Sequence, residues 1–308
     1  MSRQERPVDR HRDVVVGVDG SRAGTNAVRY AVAEAVRRGT RVHAVHAVEA
    51  FVPIAPTYGL PLDDMLDAGR SVVRSSLDRA GRAAGSVPLT TTVATGGAVA
   101  ELVSAGEDAA VVVLGADRRS VAARFFTGDV STGVAARSAV PVVVVPETWP
   151  SHDATGVVLV GVKRPDRSEA LLAAAFELAQ TRGSRLLVVH AWRLPSAYDD
   201  IIGDRVAYEE WDGRARVELE ECLAEWRSAY PDVDVEVRAV HDQAAHALVA
   251  ASYDVDEVVL VRRARGIHLG ATARAVMAHS DCPVRIVPAD DTLRMPDLSL
   301  EDAGALSK

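Results

Sequence analysis

The amino-acid sequence predicts an α/β protein: two tandem copies of a doubly wound domain, each built on a five-stranded parallel sheet. Three observations carry this expectation. Ten short valine-rich runs end in polar turns, helical periodicity fills the gaps between them, and matching landmarks in the two halves stand 144 positions apart. Asp13-Val-Val-Val-Gly17-Val-Asp19-Gly-Ser21 is answered by Val157-Val-Leu-Val-Gly161-Val-Lys163-Arg-Pro165. Val42-His-Ala-Val-His46-Ala47 is answered, at the same offset, by Leu186-Leu-Val-Val-His190-Ala191. Strand, helix and second strand therefore keep their lengths in both halves, which is the mark of an internal repeat.

Continuous aliphatic runs bounded by turns read as strands buried on both faces, the habit of parallel sheets. In the first copy they lie near 13–18, 41–47, 89–95, 109–114 and 141–145; in the second, near 156–162, 185–191, 233–239, 256–261 and 283–288. Ser21 to Arg38 carries apolar residues at 27, 28, 31, 32 and 35, the spacing of an amphipathic helix, and Gly39 stops it. Ser168 to Arg182 repeats the pattern before Gly183. A long helix over 205–229, with Trp211, Leu219, Leu223 and Trp226, reads as core packing or as a contact surface. Strand and helix alternating five times imply right-handed crossovers and helices on both sheet faces, a Rossmann-like arrangement. Ligands of such sheets sit beyond the carboxyl ends of the strands, where the winding reverses. The expected divisions are domains at 12–147 and 156–289, a linker at 148–155, and disordered tails at 1–11 and 290–308.

A chain of 308 residues suits two cores. Acidic residues outnumber basic ones, 43 to 35, for a net charge of −8, and no basic block is dense enough to track phosphates, so nucleic acid is an unexpected partner. Lys163 and Lys308 are the only lysines, which leaves very few candidates for chemistry that needs a phosphate-gripping or Schiff-base lysine. Cys222 and Cys282 form no CxxC pair and read as buried, reduced thiols. The longest apolar runs are strand-sized, far short of the ~20 residues of a membrane span, and Met1 to Arg12 has no apolar core; a cytoplasmic protein without membrane contact is expected.

Chemistry is sought in the loops. Asp19 and Ser21 stand between the first strand and its helix, where they either cap the helix or, in the case of Asp19, accept a hydrogen bond from a ligand. Neither GxGxxG nor GxxxxGK[ST] occurs. The fourth strand opens through Leu114 and Gly115 into a long loop ending at Gly128-Asp129-Val130-Ser131-Thr132, where a helix begins. A glycine and free N–H groups at the positive end of a helix suit an anion; a surface loop capped by Ser131 is the other reading. The second copy has Lys163 for the carboxylate, Pro165 in the turn, and only Gly270-Ala-Thr272 at the corresponding helix start. Its short loop holds Arg262, Arg263, Arg265 and His268, read as a solvated surface or as a contact for an anion or for the other copy. His46 and His190, at equivalent strand ends, read as structurally satisfied imidazoles. Asp232, Asp234 and Glu236 alternate and are expected to face water.

Taken together, the repeated domain, Val-Asp-Gly-Ser after its first strand, His-Ala after its second and the glycine-punctuated loop after its fourth resemble the universal stress protein family over about 280 residues. Nucleotide-binding members carry Gly, two residues, Gly, nine residues, Gly, then Ser or Thr. Gly115 and Gly128 occupy the outer glycines, Arg118 replaces the middle one, and Asp129 stands where a hydroxyl is expected. The resemblance implies that Asp19 meets adenine, that Ala47 and Leu114 line its pocket, and that Gly115, Gly128, Val130 and Ser131 hold ribose and phosphates. Asp129 would then oppose a phosphate at a cost of about 1 kcal/mol, with Arg118 as an offsetting charge.

The expected function is that of a tandem, non-catalytic stress-response module, binding ATP or another adenine nucleotide weakly in the first copy and none in the second. Two alternatives stand beside it, a nucleotide-free scaffold for an unknown protein partner and a weak ATP-hydrolysing or adenylyl-transferring enzyme. The resemblance also implies an intrachain pseudo-dimer through the fifth strands, Pro141–Val145 and Pro283–Val287, with a further homodimer open. No metal site is expected.

Overall fold

The computed structural model describes residues 12–48, 61–81, 87–116, 130–150, 152–193, 205–262 and 269–289, excluding the side chains of 205–208. The first copy runs β1 (Val14–Gly17), α1 (Arg22–Arg38), β2 (Val42–Val48), α2 (Leu62–Ala80), β3 (Leu89–Thr95), α3 (Ala98–Ala105), β4 (Val111–Gly115), α4 (Val130–Arg137) and β5 (Val142–Val145). The second runs β6 (Val157–Gly161), a 3-10 turn (Pro165–Arg167), α5 (Glu169–Arg182), β7 (Arg185–Trp192), α6 (Arg205–Ala229), β8 (Val235–His241), α7 (Ala244–Ala251), β9 (Glu257–Val261), α8 (Ala271–His279) and β10 (Val284–Val287), with a second 3-10 turn before β9. All ten expected strands are present. The two tails of the sequence reading lie outside the described residues.

The strands form one ten-stranded sheet in the order β3-β2-β1-β4-β5-β10-β9-β6-β7-β8. Within each copy every pairing is parallel. At the centre β5 and β10 run antiparallel, with Val143 opposite Arg285. Both strands are buried along their whole length, which removes the edges that separate half-sheets would expose.

Helices begin and end where the chain's chemistry dictates. The Ser21 hydroxyl accepts from Gly24 N (2.9 Å) to cap α1, and Gly39 and Gly183 close α1 and α5 in the left-handed conformation, at φ 64° and 62°. On one sheet face α3, α4, α7 and α8 cover a single apolar core that runs unbroken through both copies. On the other face, α1 with α2 and α5 with α6 cover two separate cores. Within α6 Leu219, Leu223 and Trp226 are buried and Trp226 stacks on Phe176, so this face is core; Trp211 alone of the four singled-out residues stays exposed. Cys282 is buried as expected, and burial pushes its thiol up to about 12. Cys222 departs from expectation: it is only half-buried, at a groove edge where its thiol donates to Pro165 O.

Where those two cores would meet, the structure places charge. Beside the apolar residues expected at 27, 28, 31, 32 and 35, α1 also buries Tyr30 and Glu34, and the strand read as apolar buries Arg285. The Tyr30 hydroxyl donates to Glu257, while Arg182 donates to Glu257 (2.6 Å) and to the Tyr30 oxygen (2.7 Å). Arg285 Nε donates to Glu257 (2.6 Å), and its Nη2 to Tyr30 (3.1 Å) and Glu34 (3.4 Å). Arg37 and Arg38 complete the shell of Glu34 at 2.8 and 2.9 Å. Burial alone would raise both carboxyls; the guanidiniums of Arg285 and Arg182 overcome it and hold Glu34 and Glu257 below the usual range. Burial raises the Tyr30 hydroxyl, which therefore remains a donor. The segment between the copies docks beside this network, Trp149 lying edge-on to Tyr30 at 5.7 Å and Asn26 donating to Glu147 O.

Removing one member strands the others, so Glu257→Gln is expected to destabilise the chain by about 3–5 kcal/mol, measured by urea denaturation. The pH dependence has a definite sign. The unfolded carboxyls take up protons near their ordinary value of 4.5 and the folded ones only below it, so stability is complete at neutral pH and declines as pH falls through and below that value. Melting temperatures recorded from neutral to acid pH should show this fall flattened in a variant in which both carboxyls are removed.

Candidate functional site

The strand order places β2, β1 and β4 side by side, so their carboxyl ends open on one rim. A cavity of about 130 Å³ lies there, and Asp19, Ala47, Leu114, Gly115, Val130 and Ser131 all line it. Six of the nine residues singled out from the sequence thus come together. Arg118, Gly128 and Asp129 lie outside the described residues.

Asp19 is exposed at the end of β1, and its Oδ1 accepts from Ser21 N (2.9 Å) and the Ser21 hydroxyl (2.6 Å). The capping role weighed for this turn is therefore realised: Asp19 orients Ser21, and Ser21 caps α1. Gly24 accommodates it, since a Cβ there would collide with the Asp19 carboxylate. Ser131 sits buried in the first turn of α4, and its hydroxyl donates to Gly115 O (2.9 Å), tying that helix to the end of β4. Gly115 was read as leaving room for a ligand. The room is used by α1, because a Cβ on Gly115 would lie 2.5 Å from the Ala23 carbonyl carbon.

The floor is apolar and repeated. A Cβ on Gly17 would meet Leu114 and Leu102, and one on Gly161 would meet Leu260 and Leu248. Leu102 escaped the sequence reading because a leucine in a short helix carries no chemical mark. Gly17 was legible as a repeat landmark, standing opposite Gly161, but not as a packing requirement. His46 Nδ1 lies 2.6 Å from Val18 O, and His190 Nδ1 2.9 Å from Val162 O. Each imidazole ties the end of the second strand of its copy to the first, as expected of a structural histidine.

The second copy keeps the floor and loses the rim. Lys163 replaces Asp19, Val261 replaces Gly115, and Ala273 replaces Ser131 in sheet and helix register. Its helix α5 begins at Glu169, three positions later than α1 when the two are aligned on their closing glycines. Pro165 opens a 3-10 turn instead, and the Ser168 hydroxyl donates back to Arg164 O rather than capping. The side chain of Val261 needs the space that the first turn of α1 occupies in the first copy.

Arg262 reaches across the seam and donates to Ser138 O (3.0 Å) and Ala135 O (3.4 Å), at the carboxyl end of α4. Of the readings open for its loop, contact with the other copy holds for this residue; Arg263, Arg265 and His268 lie outside the described residues. Asp232 and Asp234 are exposed, and Glu236 pairs with Arg238 at 2.6 Å. Among the described residues no cluster of three His, Cys, Asp or Glu side chains could hold a metal, and no helix is long and apolar enough to cross a membrane.

Gly115→Ala is expected to destabilise the protein by about 1–3 kcal/mol through the forced retreat of α1. Ser21→Ala should lose about 1 kcal/mol with its cap. Thermal denaturation of the two variants checks both, and equal melting temperatures for Gly115→Ala and the parent would contradict the packing role.

Comparison with known proteins gives a consistent result. Residues 11–146 and 155–288 each match the Universal stress protein family. A universal stress protein of Mycobacterium tuberculosis is 31% identical over 291 residues, covering 88% of this chain and 95% of its own. A second from the same organism is 30% identical over 279 residues, covering 85% and 90%. The crystal structure of a universal stress protein from Archaeoglobus fulgidus has a TM-score of 0.66 at 19% identity, covering 91% of this chain and 97% of that one, a likeness of fold.

Proposed function

This chain belongs to the universal stress protein family in both halves, and from that premise we propose that its first copy is a non-catalytic receptor for an adenine nucleotide while its second is a built-in partner. The observation that carries the reading is the convergence of Asp19, Ala47, Leu114, Gly115, Val130 and Ser131 on one cavity at the carboxyl ends of β1, β2 and β4. A carboxylate at one end suits the donor edge of a purine, Ala47 and Leu114 offer an apolar wall, and the first turn of α4 directs its N–H groups at the opposite side. The losses in the second copy fall on these same functions. A carboxylate becomes Lys163, a hydroxyl becomes Ala273, and the first helical turn is displaced.

A second reading, a nucleotide-free scaffold, draws on a different observation. Asp19 and Ser131 both bond within the chain, and the cavity of about 130 Å³ is smaller than the ~300–1,000 Å³ of ordinary ligand pockets. An ATP-hydrolysing or adenylyl-transferring activity is the least supported, because Lys163 and Lys308 are the only lysines available for phosphate-gripping lysine chemistry and the sequence marks no base.

Freshly purified protein, denatured and analysed by mass, is expected to release an adenine nucleotide, and calorimetry with ATP should show one site per chain. Asp19→Ala should weaken that binding by about tenfold, the effect of losing one hydrogen bond to a charged group, while Lys163→Ala leaves it unchanged. No released nucleotide and no heat with ATP would overturn the receptor reading. A co-purifying protein partner, with a melting temperature indifferent to millimolar ATP, would then support the scaffold. ATP turnover abolished by Asp19→Ala would instead favour the enzyme.

A further inference from the structure

We infer that the buried charge network across the central seam is a pairing key, which makes each half of this chain fit the other half and makes two like halves misfit. The two central strands and the apolar core beneath them do not make that choice. Val142–Val145 are all buried, Val284, Ile286 and Val287 are buried opposite them, and the core beneath runs through both copies without a charge. Antiparallel pairing about Val143 and Arg285 is close to two-fold symmetric, so an apolar seam of this shape would accept either half as partner.

The network breaks that symmetry at four positions. Tyr30 and Glu34 come from the first copy, and the positions equivalent to them in α5 are Ala174 and Leu178. Glu257 and Arg285 come from the second copy, and their equivalents in β4 and β5 are Val111 and Val143. At these four positions each charge or hydroxyl thus has an apolar counterpart across the pseudo-dyad, whereas Arg182 stands opposite another arginine, Arg38. Two second halves brought together would bury Glu257 opposite Ala174 and Arg285 opposite Leu178, with Arg182 and Arg285 outnumbering the carboxylates. Two first halves would bury the Tyr30 hydroxyl without Glu257, and Glu34 without Arg285. Both arrangements leave buried polar groups uncompensated, the condition proteins avoid most strongly. Only a first half against a second half satisfies every member. On the opposite sheet face Arg262 adds to the same bias, because it caps α4 whereas its counterpart Ala116 has nothing to donate to α8. The key is asymmetric by composition, not by shape.

The test uses the full chain with each of the four residues replaced by its counterpart: Tyr30→Ala, Glu34→Leu, Glu257→Val and Arg285→Val. Parent and variant are unfolded in urea, refolded, and weighed by light scattering over a range of concentrations. The parent is expected to return to its starting species alone. The variant should refold with unchanged circular dichroism but return as a mixture, with species of about twice the parental mass that grow with concentration as like halves pair between chains. A variant that folds and returns only to the parental species overturns the key. The milder pair Glu257→Val with Arg285→Val keeps the helix residues and is read in the same way. Failure of both variants to fold also overturns it, since the network would then be a requirement for folding and not a means of choosing a partner.

Discussion

Strand β5 lies antiparallel to β10, and around that seam the rest of the molecule is organised. A parallel five-stranded half-sheet would end in an unpaired run of valines, and a second half-sheet in the same condition would be its natural cover. Joining them buries four residues on each side and makes the core under α3, α4, α7 and α8 continuous across the chain. The segment between the copies is drawn into the same arrangement. Trp149 packs on Tyr30, Thr148 meets Asp281, and Thr155 and Gly156 donate to the Asp256 carboxylate. The connection is thus fastened at both ends to the bodies it joins.

The opposite face of the seam has another physics. There two carboxylates, two guanidiniums and a phenol are buried together, and hydrogen bonding inside the group holds the charged forms against desolvation. Such a cluster contributes little net stability compared with apolar residues of equal volume, but it tolerates no missing member. Helix α1 connects this cluster to the candidate site. Its first turn is capped by Ser21 and packs against Gly115, while Tyr30 and Glu34, farther along, enter the network. One rigid element therefore forms part of the rim of the site and part of the bond between the copies.

The difference between the copies follows from a few substitutions with geometric consequences. Gly115 allows the first turn of α1 to lie against the end of β4; Val261 does not allow it, and Pro165 supplies a 3-10 turn in its place. Once that turn has moved, a carboxylate at position 163 would no longer have the same capping partner, and Lys163 stands there. What remains in the second copy is what the sheet itself requires: Gly161 beneath Leu248 and Leu260, and His190 bonded to Val162 O.

How much could be read in advance varied with the range of the interaction. Strands, helix ends, the repeat and the place of the candidate cavity were legible because they rest on local rules, on runs of β-branched residues, capping serines and closing glycines. Asp19 and Ser131 were found as polar residues at turn positions, but their bonds to Ser21 and to Gly115 O were visible only once the turns were folded. The network was missed for a physical reason. Nothing near Tyr30 and Glu34 in the chain marks them, and Arg285 lies in a strand read as apolar, because their partners lie 227, 251 and 255 positions away. The sequence by itself determined the doubled α/β architecture and which turn residues line the cavity of the first copy, since hydrophobic period and turn chemistry are written in neighbouring residues. Only the tertiary structure decided what the buried charges do, because compensation of a charge depends on which groups meet after folding and not on which stand beside it in the chain.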